Sequence, residues 1–77
     1  MNFDLYQDKI KQLLLLKARN NPDREAIIKL SEVDISIQIT DDLTRSFASW
    51  LKRDEMISDA CFFGKGCVKC IIKEKFI

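Results

Sequence analysis

Three cysteines, Cys61, Cys67 and Cys70, fall within ten residues of one another in a chain of 77, spaced C-x5-C-x2-C. The x2 spacing is favoured in metal sites because two intervening residues let both sulfurs point at one ion from a turn. Gly64 and Gly66 would let the backbone approach such a centre. Lys65 and Lys69 would lower the thiolate pKa by proximity of positive charge. With no histidine in the chain, a fourth ligand would have to be Asp59, Glu74, water or a thiolate from a second chain. An iron–sulfur cluster, zinc, or no metal at all are equally open on these residues. Buried structural cysteines packed beside Phe62, Val68 and Ile72, or a redox pair at Cys67 and Cys70, are the competing readings.

Geometry divides these options. Met56–Phe63 and Cys67–Ile77 are rich in β-formers around Gly64-Lys65-Gly66, which predicts a hairpin with strands over about 57–63 and 67–76. The two glycines supply the positive φ angles of its turn. In a regular strand alternate residues face opposite sides, so Cys67 and Cys70 cannot share a face. A hairpin through Cys70 and a three-thiolate site are therefore mutually exclusive descriptions of one segment.

The preceding elements must position this tail. Residues 4–19 read as an amphipathic helix, with Tyr6, Ile10, Leu13, Leu14 and Lys17 along one face. The run Leu13–Leu16 must wrap the whole circumference, so Leu15 or Leu16 is either covered by another part of the fold or offered to a partner. Asn20-Asn21-Pro22-Asp23 reads as punctuation that caps a second helix over 22–31 with Ala26, Ile27 and Leu30 inward. Alternation of Val33, Ile35, Ile37 and Ile39 favours a short strand over a helix end. Thr40-Asp41-Asp42 opens a third helix over 40–53, with Leu43, Phe47, Trp50 and Leu51 as its buried stripe.

Two or three helices followed by a glycine-tipped hairpin is the chain order of a winged helix, so the expected fold is a single α+β domain of winged-helix-like type spanning 1–77. A chain this short buries about 60% of its unfolded surface, which leaves little room for a deep substrate cleft. No GxGxxG, P-loop, GxSxG or HExxH motif is present, and a non-enzymatic protein is expected. Thirteen Lys+Arg against 12 Asp+Glu leave a net charge of +1, whereas phosphate neutralisation drives most of the affinity of a DNA binder. Asp41 and Asp42 would lead a DNA-reading helix and repel phosphate. These grounds disfavour a nucleic-acid role, which would fall to Arg45 and Lys65. The longest apolar run is far below the roughly 20 residues of a membrane span, and no basic-then-apolar leader is visible, so no membrane insertion and a cytoplasmic location are expected.

With Cys61, Cys67 and Cys70 in the wing and a closing Glu74-Lys75-Phe76 strand, the chain resembles the FeoC family of bacterial ferrous-iron transport. The resemblance implies a small cytoplasmic accessory or regulatory protein whose wing cysteines hold an iron–sulfur cluster and which associates with a membrane permease. The alternative reading is a metal-free interaction module, of the phage or plasmid inhibitor type, that docks on a host enzyme through Leu15 and Leu16. Whether the chain is a monomer or an oligomer is left open.

Overall fold

The computed structural model describes residues 1–76. Its element order is a 3-10 turn Phe3–Tyr6, α1 (Gln7–Arg19), β1 (Glu25–Lys29), α2 (Leu30–Val33), α3 (Asp41–Lys52), β2 (Ile57–Gly64), β3 (Cys67–Ile72) and a 3-10 turn Glu74–Phe76. Three helices and a three-stranded antiparallel sheet, ordered β1-β3-β2 with a β2–β3 hairpin at its C-terminal end, make a winged-helix-like α+β domain.

Each terminus of these elements has a local cause. Asn2 accepts the Asp4 amide at 3.0 Å and starts the chain turning before α1. Thr40 Oγ1 accepts the Leu43 amide at 3.0 Å, capping α3, and Asp41 and Asp42 lie in its electropositive first turn. Ile10, Leu14 and Ala18 of α1 and Phe47, Ala48 and Leu51 of α3 pack on one face of the sheet against Ala26, Ile28, Ala60, Val68, Cys70 and Ile72. Phe3 closes the open end, its ring centroid 4.9 Å from that of Phe47. The Trp50 indole N–H donates to Asp4 Oδ1 at 2.8 Å and ties α3 to the start of the chain.

Three expectations are corrected. Residues expected as a helix over 22–31 form β1 and the single turn α2. Asn21 does not cap a helix; its Oδ1 accepts the Asp23 amide, and its carbonyl the Arg24 amide, in a turn that sends the chain into β1 with Arg24 at φ 62°. Ala26 and Ile28 then alternate inward against β3 while Ile27 stays outside. The expected strand over 33–39 is absent. Val33 ends α2 in the core, Ile35 is 92% exposed, and Ile37 and Ile39 are half-buried in an irregular connection. Asp34 holds that connection, accepting from the Ser36 amide and hydroxyl and from the Tyr6 hydroxyl, a hydrogen-bonding pattern that favours a turn over a strand ladder. Finally, β3 ends at Ile72 and Glu74–Phe76 is a 3-10 turn, so the second hairpin strand does not reach 76.

Candidate functional site

The wing is a fixed element. Gly64 pairs with Cys67 across the two turn residues Lys65 and Gly66. Of the tip residues Gly66 alone has a positive φ, +79°, a conformation that favours glycine; Gly64 does not, which corrects the expectation that both glycines supply one. Its amide donates to Thr44 Oγ1 at 2.8 Å, Thr44 in turn donates to the Thr40 carbonyl at 2.7 Å, and the Gly66 carbonyl accepts from Leu30 at 2.8 Å. Thr44 is the buried polar side chain of the core. The tip is thereby latched to α3 on one side and to the start of α2 on the other.

The strand register distributes the three cysteines. Cys70 pairs with Ala26 and Ala60, points into the core and is 0% exposed; burial, with Cys61 and Asp59 nearby, pushes its thiol up to about 12. Cys61 pairs with Lys69 on the opposite, outward face and is exposed. Cys67 lies on that outer face too, two residues from Lys69 along β3, and is half-buried. Cys61 and Cys67 thus share a face and Cys70 does not. Among the described residues no three Cys, Asp or Glu side chains gather around a common point. The three thiols do not fit a single iron–sulfur or zinc site in this sheet, because Cys70 would have to leave the core and lose its proton far above neutral pH. The Lys69 ammonium pairs with Glu25 Oε1 at 3.0 Å, which holds the Lys69 pKa above its ordinary value.

Sequence reasoning missed the aromatic residues of β2. Phe62 was expected beside buried cysteines, yet it is 38% exposed, and Phe63 is 57% exposed. Two adjacent aromatics in a strand face opposite sides, which was the available signal that one of them must leave the core. The Arg45 guanidinium, on the solvent side of α3, lies over the Phe62 ring, 4.6 Å from its centroid. Lys65 is exposed at the tip, and Asp41 and Asp42 are exposed at the leading end of α3. On α1, Leu16 is 61% exposed while Leu15 is half-buried, so the leucine run offers one exposed side chain and not a ridge.

The remaining polar clusters are structural. Lys17 bridges from α1 to Glu32 at 2.9 Å, and Glu32 also accepts the Lys29 amide. Burial raises the Glu32 pKa, and these bonds outweigh it to leave the pKa low. A shallow notch of about 240 Å³ is lined by Asp4, Gln7, Trp50, Arg53 and Asp54, with the Trp50 N–H already satisfied by Asp4.

The class defined by this arrangement is a winged-helix-like α+β domain with a latched, aromatic wing. Comparison of the chain with protein-family models, with curated proteins and with solved structures finds no match. Among the described residues no helix is long and apolar enough to cross a membrane.

Proposed function

We propose that the protein is a small non-enzymatic accessory protein of the cytoplasm that acts by binding another protein through its wing. The observation that carries this reading is the pair Phe62 and Phe63, exposed on β2 with Arg45 stacked on the first ring. Exposed aromatics beside an arginine are the composition of interface hot spots, and large apolar side chains left in water are otherwise a liability. The rigid hold of Thr44 on Gly66 favours binding, since a preorganised surface loses little entropy on docking. The near-zero net charge and the exposed Asp41 and Asp42 favour a protein over a nucleic acid. An iron- or redox-linked version of this role, as in the FeoC resemblance, rests on Cys61 and Cys67 of the open face and leaves out Cys70.

The test is a photo-crosslinking amino acid placed at Phe63, with one at Asp8 as control, in growing cells. The expected result is a discrete adduct with another protein from position 63 only, weakened by Arg45→Glu. Adducts of equal yield from both positions, or a salt-sensitive duplex-DNA complex lost in Arg45→Ala, would overturn it.

A further inference from the structure

The sheet order β1-β3-β2 leaves one long side of β2 without a strand partner. Natural edge strands are guarded by charged side chains (lysine above all), prolines, bulges or short length. β2 is eight residues long, Ile57–Gly64, and contains neither lysine nor proline. Its two irregularities fall between Ile57 and Asp59 and between Phe62 and Gly64, which leaves Asp59–Phe62 in unbroken register with β3. Within that run the Ala60 amide is taken by the Asp59 carboxylate at 2.9 Å and is not donated to β3. By strand alternation the main-chain groups of Ala60 and Phe62 then face the free side.

We propose that this edge is the docking site for a second copy of the chain, β2 against β2 antiparallel about a two-fold axis at Cys61. The proposal rests on the reading of the wing as a protein-binding surface and names its partner. An axis at Cys61 keeps the contact inside the regular run: Ala60 of each copy pairs with Phe62 of the other, and Cys61 meets Cys61. Ala60 and Phe62 become hydrogen-bonded pairs once each Ala60 amide exchanges the Asp59 carboxylate for the Phe62 carbonyl of the second copy, and the large Phe62 side chain lies opposite the small Ala60. Antiparallel pairing also brings Asp59, at one end of the regular run, toward the oppositely charged Lys65 turn of the second copy. No basic side chain of either strand faces another in this run. The two three-stranded sheets become one, and the interface is isologous and closed. Cys61 occupies a non-hydrogen-bonded pair, whose Cα atoms stand about 4.5 Å apart. That separation lies inside the roughly 4.4–6.8 Å range that a disulfide accepts.

The experiment is light scattering with size exclusion on the reduced full chain across a concentration series, followed by treatment of Cys67→Ser with diamide. The expected results are a concentration-dependent doubling of mass, and a covalent dimer in Cys67→Ser as each Cys61 loses its thiol proton and diamide takes the two electrons. Cys61→Ser keeps the reduced dimer and forms no covalent one. Cys61→Lys, at an exposed position, stays folded by circular dichroism and is monomeric. A monomer at every concentration overturns the proposal, as does a dimer that survives Cys61→Lys or crosslinks through Cys67. The reading of the wing fails separately: a photo-adduct at Phe63 of another protein from a monomeric chain keeps that reading and sinks this one. A photo-adduct only of two copies keeps the wing as a protein-binding surface with this partner and removes the accessory role toward another protein.

Discussion

The Gly66 amide donates to Thr44 Oγ1 at 2.8 Å, joining the tip of the wing to the first turn of α3 across 22 residues of sequence. The hydroxyl belongs to a fully buried side chain and itself donates a hydrogen bond to the Thr40 carbonyl. Thr44→Val keeps the shape and removes both bonds, leaving a buried N–H without a partner. The expected loss is about 1–3 kcal/mol, read as a lower urea midpoint at unchanged slope. Faster hydrogen exchange at the Gly66 amide would locate the damage in the wing; unchanged exchange there would show that the latch does not hold the tip.

Gly66→Ala meets two separate penalties. At φ +79° an L-residue loses roughly 1–2 kcal/mol, and the added Cβ would stand 2.8 Å from Ile39 Cγ2. Ile39→Ala in the same chain should restore the steric part and leave the backbone part. A double variant no more stable than Gly66→Ala would show that the clash with Ile39 contributes nothing. Gly64→Ala, where the new Cβ meets nothing within 4 Å, is expected to be nearly neutral.

The cysteines should divide by face. Iodoacetamide on the native protein is expected to modify Cys61 first and Cys67 next. Cys70 should react only at the rate of global unfolding, because its buried thiol titrates at about 12. Mass spectrometry of the labelled peptides reads this directly. Cys70→Ser would put an unpartnered hydroxyl into an apolar site and cost about 1–3 kcal/mol, whereas Cys61→Ser is expected to leave stability unchanged.

Asp34 carries the acid dependence. Hydrogen bonds from the Ser36 hydroxyl and amide, then from Tyr6, hold its carboxyl at about 2, below the ordinary 3.8. A depressed folded-state pKa contributes stability that is present above the unfolded value and lost as pH falls from about 3.8 to about 2. Asp34→Asn should flatten that part of the acid limb and, by releasing the Tyr6 hydroxyl from a carboxylate, bring the raised tyrosine pKa back toward its usual value. An acid limb of the same shape in Asp34→Asn would assign the dependence elsewhere.

The helix α3 and the hairpin were legible because each is written in local chemistry: a threonine cap, two aspartates, a 3.6-residue apolar stripe, and glycines at the turn. β1 was not. Glu25–Lys29 has only Ala26 and Ile28 facing inward as a strand, while Ala26, Ile27 and Leu30 fit a helical face equally well at that length. What decides for a strand is β3, whose Cys70 and Val68 pair with Ala26 and Ile28 from the far end of the chain. The isoleucines at 35, 37 and 39 misled in the opposite direction: an alternating pattern needs a neighbouring strand, and Asp34 bends the segment away from any. The cysteine spacing carried a correct constraint, since hairpin and three-thiolate site exclude one another and the hairpin formed. The adjacent phenylalanines held the stronger hint to an exposed surface.

The position of β3 between β1 and β2 has a consequence for how the protein comes off the ribosome. The strand at the centre of the sheet is synthesised after both of its neighbours, and Glu25 must wait for Ile71 before its ladder can close. Until then the two outer strands have no common partner, and the apolar sides of α1 and α3 have an incomplete floor. The helices can form early, but the domain commits to its fold in one late insertion, with the loop-closure entropy of a long separation to overcome. Released chains truncated just short of Cys67 should therefore be protease-sensitive throughout, and chains extended through Ile72 should be protected as a whole.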